Sequence, residues 1–573
     1  MGDRSAKLSP MRGIPWRLLA AGALTALLLD LPFPLAGPLP VWRTIFAWFA
    51  LVPLLVALLR LPEKAEGRSR RWLLGWSLLA GWLCGAIWFG LNCYWVYNTM
   101  HVYGGMSAPL AALSLLMFSL YLGFWFGVFA LTLAMIRRAT LGKRNAWLAF
   151  AAIPFLWTAM DFAIARIPGF PWDQLGYSQV DNGLITKLAP WTGVYGITFV
   201  VAAVNAWLVV LVSRRKDFGF GGSLFTLFII FYLNFGNGGT ERPIPTALAM
   251  LVQPNLNVAS DDVWVGPEWD RQMAQFQQLG SETCKADYMV GMPEVESLHI
   301  AAPCTGPPPA ASLIVWPESP APFRDLDPKF QAAMAAIAQN DRAPLIVGNI
   351  GMEEDPVSQQ THIFNSASVI AQDGHMAGRY DKMHLVPFGE YVPHRELLFF
   401  VRQIAQSLTD MSAGTERKVF RIGGPQGAHR YGVFICYESV FGDEVRQFAQ
   451  LGAEVFVNIS DDGWYGDSSA PWQHLNMARM RAIENRRWIL RDTNNGVTAS
   501  IDPYGTVRQS IPRHRVDALP AQFGYNSEIT FYTAHGDWLP ALCGILSMAL
   551  LVWSGRRILG QIASESPSKA SRL

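Results

Sequence analysis

Runs of about 20 apolar residues, enough to carry a helix across ~30 Å of hydrocarbon, crowd the first 240 positions of this chain and return once near its end. In lipid every backbone N–H and C=O has to be paired within the segment, so runs of this length are expected to be spanning helices. Seven candidates lie at 16–36, 41–59, 72–96, 109–135, 146–165, 191–213 and 218–235, and an eighth at 538–553. Composition agrees: 51% of residues are hydrophobic and only 16% charged, against ~25% in soluble domains. A net charge of +2 argues against a nucleic-acid partner. The first run does not read as a cleavable signal, because Pro32, Pro34 and Pro38 stand where a small-residue cleavage site belongs and further spans follow.

Basic residues in the connecting loops set the orientation, since Lys and Arg are retained on the cytoplasmic side. Lys7, Arg12 and Arg17 precede the first run. Arg60, Lys64, Arg68, Arg70 and Arg71 follow the second; Arg137, Arg138, Lys143 and Arg144 follow the fourth; Arg214, Arg215 and Lys216 follow the sixth; Arg556 and Arg557 follow the eighth. The loops near Pro38 and at 101–106 carry none. Both termini are therefore expected in the cytoplasm and residues 240–535 on the opposite side. Arg166 and Lys187, after the fifth run, are the exceptions.

The chain divides into seven spans over 1–239, a polar-enriched unit over 240–535, and an eighth span with its tail over 536–573. Within the middle unit, 247–253, 312–316, 344–349, 431–436 and 454–458 are short runs of Val, Ile, Leu and Phe that read as buried strands. The stretches 325–340 and 473–486 read as helices between them. Asn495-Gly496 and the sequence Asp-Pro-Tyr-Gly at 502–505 supply turns for a hairpin. The expected fold is thus a helical membrane part with an inserted α/β domain. An irregular stretch at 275–311, containing Pro307 to Pro309, reads as a surface insertion; its Cys284 and Cys304 would be free to pair on an oxidising side, which the sequence leaves open. Cys84, Cys93 and Cys543 fall within the apolar runs as packing residues.

Three residues carry the chemistry. Cys436 ends the strand-like run from Tyr431, Glu318 follows Trp316-Pro317, and Lys382 follows Tyr380-Asp381. A thiol attacks only as thiolate, which needs a base or a positive charge beside it. Glu318 and Lys382 offer one of each, and α/β sheets place ligands at the carboxyl ends of strands. Singly, each residue has a plainer reading: a buried small hydrophobe for the Cys, a surface charge for the Glu and the Lys. The ordered combination is what is specific.

Glu318 in "WPE", Lys382 in "RYDKMHLVPFGEYVP" and Cys436 in "CYESVF" resemble the Glu-Lys-Cys triad of the nitrilase (carbon-nitrogen hydrolase) superfamily. With flanking spans, and with "GFPWDQLGYSQ" at 169–179, "LVQPN" at 251–255, "NISDDGWYGDS" at 458–468 and the long stretch at 473–505, nearly the whole chain is similar to the apolipoprotein N-acyltransferases. The resemblance implies eight spans with a nitrilase-like αββα sandwich. It implies Glu318 as general base, Cys436 as the nucleophile that takes a fatty acyl chain as thioester, and Lys382 facing the oxyanion. Glu390 and Glu438 would support them, and Trp269 and Trp172 would bind substrate near a lipid-facing mouth. Expected partners are a phospholipid acyl donor, with phosphatidylethanolamine the first choice, and a diacylglyceryl-lipoprotein acceptor, for a monomer in the bacterial inner membrane with its catalytic domain in the periplasm. No metal or other cofactor is implied, and Asp462 receives no role.

Two other readings differ in class. A membrane-tethered nitrilase-type amidase would use the same triad and let water discharge the thioester. A transporter would need several ionisable groups within the spans, where Asp161 is the one clear case. Leu397 to Val401 is a candidate entrance lid or a buried helix.

Overall fold

In a computed structural model of the chain, the described residues are 14–64, 69–141, 145–212, 243–258, 267–281, 311–318, 323–355, 359–392 and 410–565. The apolar run at 218–235, the basic residues Lys7, Arg12, Arg68, Lys143, Arg144, Arg214, Arg215 and Lys216, most of the 275–311 insertion with Cys284 and Cys304, and the 397–401 segment lie outside them.

Six helices among the described residues are long and apolar enough to cross a membrane: Val41–Leu61, Arg70–Asn92, Ala108–Thr140, Leu148–Arg166, Val194–Val212 and Trp538–Gly560. The run at 16–36 gives a shorter helix, Trp16–Asp30, of 15 residues. Pro32 and Pro34 explain the early stop, because neither has an N–H with which to continue the ladder. The second and third of the six pack on glycine: Gly81 and Gly85 face the helix carrying Gly123 and Gly127, and a methyl added to Gly85 would sit 2.7 Å from Gly123 Cα. Small residues four apart let the two backbones touch.

The middle unit is a two-sheet sandwich. One sheet holds β1 (Ala247–Gln253), β2 (Leu313–Trp316), β3 (Leu345–Glu354), β4 (Thr361–Ile370) and β5 (Met376–Asp381). The other holds β6 (Val419–Gly424), β7 (Gly427–Ile435), β8 (Val455–Ser460), β9 (Ile489–Thr493), β10 (Thr498–Ile501) and β11 (Val507–Ile511), while β12 (Asp517–Phe523) returns to pair with β1. The orders are β12-β1-β2-β3-β4-β5 and β11-β10-β9-β8-β7-β6. Each sheet has three parallel central strands, β1-β2-β3 and β7-β8-β9, flanked by antiparallel ones. Their inner faces meet, with β1 on β9 and β4 on β7. Helices Pro267–Ser281 and Pro328–Asp341 cover the first sheet, and Gly442–Gln450 and Ala470–Asn485 the second. The strands expected from Val/Ile-rich runs are all present, and the 502–505 turn joins β10 to β11 as a hairpin.

The helix Ala470–Asn485 ties this sandwich to the membrane part. Apart from Trp472, every one of its residues is buried, including Gln473, His474, Asn476, Arg479, Arg481 and Glu484. Buried polar groups need partners, and these find them across the junction. Gln473 Nε2 donates to the Asn92 carbonyl at 3.0 Å, Arg481 Nη2 donates to the Tyr177 hydroxyl at 2.9 Å, and Glu484 Oε1 accepts the Val194 N–H at 2.9 Å. Arg479 pairs with Asp181. A second fastening is ionic. Arg166 Nη2 reaches Asp443 of the sandwich at 2.9 Å and Asp537, just before the last span, at 2.5 Å. Arg166 is one of the two basic residues that broke the loop pattern, and its charge is answered here. Asp161, the lone ionisable group that counted against a transporter, is likewise engaged: its Oδ2 accepts the Leu175 N–H at 3.3 Å.

Breaking one partner of a buried ion pair leaves the other uncompensated, at ~3–5 kcal/mol. Glu484→Ala strands Arg481, 3.0 Å away, and should lower stability in detergent by about that much, with Glu484→Gln losing less because its amide oxygen can still accept from Val194. Denaturant unfolding followed by tryptophan fluorescence checks this.

Candidate active site

Three strands deliver the chemistry at their carboxyl ends: β2 runs through Pro317 into Glu318, β5 into Lys382 and β7 into Cys436. Lys382 is 1% exposed, and its ammonium donates to Glu318 Oε1 at 3.1 Å and to Glu390 Oε1 at 2.9 Å. Asn365, from the adjoining strand β4, joins the same two carboxylates through Nδ2 at 2.6 and 2.7 Å. The outer oxygens take backbone amides: Glu318 Oε2 accepts from Asp461 N–H at 2.9 Å and Glu390 Oε2 from Val386 N–H at 2.7 Å. Burial alone favours a neutral amine, but Glu318 and Glu390, with the nearby Cys436 sulfur, outweigh it and hold Lys382 charged, well above the ordinary lysine range.

Cys436 sits at the strand-to-helix corner, φ 49°, in the left-handed region that costs a residue with a side chain ~1–2 kcal/mol. The corner is held from the front by Glu438, two residues on. Glu438 Oε2 accepts the Ile435 N–H at 2.7 Å, while Oε1 accepts Tyr380 O–H at 2.7 Å and the N–H groups of Met383 and His384 at 2.8 and 3.2 Å. One carboxylate thereby locks the Cys corner to the loop that begins at Lys382. Burial pushes the Cys436 thiol well above its usual range and Glu318 pushes it further; Lys382 and a hydrogen bond with Ser460 pull the other way. At neutral pH the sulfur therefore rests as a thiol beside a carboxylate able to take its proton and an ammonium able to face an anion. Such a set suits acyl transfer through a thioester.

Behind Cys436 lies a second polar group that motif reading passed over. Asp462 Oδ2 accepts Arg491 Nη2 at 2.8 Å and its Oδ1 meets His474 Nδ1 at 2.9 Å, all three fully buried. Burial would favour a neutral Asp462, but Arg491 and His474 keep it ionised, below the usual carboxylate range. Its neighbour Asp461 goes the other way, pushed up to about 8 by burial and by Glu318. The one signal in the sequence was a charged pair, Arg491-Asp492, inside an otherwise strand-like run, since such residues are almost never buried without partners.

The two tryptophans occupy different places. Trp172 is 2% exposed, donates Nε1–H to Gln473 Oε1 at 2.8 Å and stacks on Phe170 and His474, which puts it inside the junction beneath the Cys corner, not at a lipid-facing edge. Trp269, on Pro267–Ser281, is partly exposed, with Lys329 Nζ 4.0 Å over its ring.

Comparison with known proteins follows this division of the chain. Residues 25–207 match the family described as Apolipoprotein N-acyltransferase N-terminal domain, and residues 271–515 match Carbon-nitrogen hydrolase. The Apolipoprotein N-acyltransferase of Pseudomonas aeruginosa (strain PAO1) is 32% identical over 559 residues, covering 95% of this chain and 96% of its own. That of Geobacter metallireducens is 29% identical over 553 residues, covering 95% and 96%. Among solved structures, Saccharomyces cerevisiae Nit3, of the nitrilase superfamily, aligns with 49% of this chain and 91% of its own at 16% identity and a TM-score of 0.33.

Opposite charges beside one sulfur make opposite predictions. Glu318→Gln should move the pH profile of Cys436 alkylation by iodoacetamide to lower pH, and Lys382→Met should move it higher. Shifts in the same direction would contradict the charge arrangement described.

Proposed function

Because this chain belongs to the apolipoprotein N-acyltransferase family, we propose that it carries a fatty acyl chain from a membrane phospholipid to the N-terminal amine of the diacylglyceryl-cysteine of a lipoprotein. It is a membrane acyltransferase with a carbon-nitrogen hydrolase domain. The observation that carries the reading is a buried thiol flanked by Glu318 and Lys382 in a domain fastened to the spans at two points.

In the first half-reaction Glu318 takes the Cys436 proton as sulfur attacks the ester carbonyl of the phospholipid, and the oxyanion faces Lys382. The carbon–oxygen bond breaks, Glu318 returns the proton to the leaving alkoxide, and a lysophospholipid departs from a thioester. In the second, the acceptor amine attacks the thioester, Glu318 takes its proton, and the carbon–sulfur bond breaks to give amide and thiol. Glu390 holds Lys382 and Glu438 holds the Cys436 corner; Trp269 is assigned to substrate contact, whereas Trp172 packs the junction beneath that corner. Acyl chains that stay in hydrocarbon during both steps avoid exposing CH₂ groups at ~0.8 kcal/mol each. An amidase would discharge the same thioester to water; a Cys436 only 6% exposed favours transfer.

Eight spans, counting 16–36 and 218–235, place both termini in the cytoplasm and the sandwich in the periplasm, with the inner membrane as the site of action. The alternation of basic loops supports this topology, and Arg166 fits it because its charge is answered by Asp443 and Asp537. We assign phosphatidylethanolamine as donor and a monomer as the working unit.

Purified enzyme given phospholipid labelled in its acyl chain should acquire a hydroxylamine-labile adduct on Cys436, and a diacylated lipopeptide should then take the label onto its amine. Cys436→Ser should stay folded in the membrane and acquire none. Release of the label as free fatty acid in the presence of acceptor would mark a hydrolase instead.

A further inference from the structure

We propose that His474 is a positioning residue for the nucleophile, pinning the Cys436 carbonyl from behind as Glu438 pins the preceding peptide from the front, with Asp462 and Arg491 holding the imidazole in place. The proposal rests on Cys436 being the nucleophile. His474 Nε2 lies 3.1 Å from the Cys436 carbonyl oxygen and 2.7 Å from Ser439 Oγ. A carbonyl oxygen and a carboxylate oxygen both only accept, so the two contacts together put a proton on each ring nitrogen, and Asp462 answers the resulting charge against burial and Arg491, which oppose it. Its Nδ1 meets Asp462 Oδ1 at 2.9 Å and Arg491 Nη2 at 3.1 Å, and Trp172 stacks on the ring. Asp462 Oδ1 also accepts the Ser460 hydroxyl at 3.0 Å, and Arg491 donates to Asn458.

The contacts form a chain: Ser460, Asp462, His474, Cys436 carbonyl. The backbone of the nucleophilic residue is thus referred to one buried imidazole. A left-handed corner with a side chain persists only when its surroundings over-determine it, and Glu438 holds the Phe434–Ile435 peptide, one step before Cys436. His474 is fully buried, so it does not touch substrate and takes no proton in the reaction; it acts through the backbone it holds. A misplacement of ~1 Å in a reacting atom can cost ~10²-fold in rate, which is the scale expected when this pin is removed.

The test uses the full-length enzyme in nanodiscs and three variants. His474→Ala should slow acyl-enzyme formation by roughly 100-fold while leaving the half-saturating phospholipid concentration unchanged. His474→Gln, whose amide keeps a donor toward the carbonyl, should recover at least about tenfold of that loss. Asp462→Asn, which removes the carboxylate from Nδ1, should slow acyl-enzyme formation in the same way, and it serves with His474→Gln if the alanine variant does not fold. Equal losses in the two His474 variants, matched by equal falls in thermal midpoint, would reduce His474 to a scaffold residue and overturn the proposal. So would a wild-type rate in His474→Ala, or in Asp462→Asn. Acyl transfer surviving in Cys436→Ser would instead remove the nucleophile reading, whatever the His474 variants do.

Discussion

A fully buried ammonium sets the terms for the catalytic sandwich. Left alone, Lys382 would lose its charge or unfold its surroundings, since a desolvated ion without partners costs several kcal/mol. Two carboxylates arriving from β2 and from the loop after β5, with Asn365 of β4 bridging them, meet that demand. The strand ends are consequently held to one another by charge as well as by the sheet. Burial, and Glu318 after it, discourage charge on the neighbouring sulfur, so the proton stays on Cys436.

Helix Ala470–Asn485 joins this arrangement to the membrane. Gln473, Arg481 and Glu484 reach the ends of the spans and the 167–194 connection, whereas His474 turns inward to the Cys436 corner. Neighbouring residues on one helix therefore serve the junction and the Cys436 corner together. Trp172 completes the link, with its indole N–H on Gln473 and its face on His474.

Much of this was legible in the chain. Spans announce themselves by length, since few other structures tolerate 20 apolar residues, and the buried strands by runs of branched side chains. The triad was visible because each member ends an apolar run. Details set by pairing were harder to read: β3 continues through Glu353 and Glu354 because β4 pairs with it that far, although the apolar pattern stops near 349. The first apolar run outlasts its helix because prolines, not polarity, end it. Asn365, Asp462 and His474 carry no local mark at all; their importance lies in partners from 12 to 47 residues away in sequence. Trp172 looks like an interfacial anchor by type, and only the folded junction shows it turned inward.

Arg166 is bound at once to the sandwich and to the root of the final span, a short distance from a seam sealed by buried hydrogen bonds. Two separated attachments remove the hinge about which a single tether would let a domain swing. The sandwich is accordingly held at one height and one angle over the ends of the spans, a fixed dock and not a swinging one.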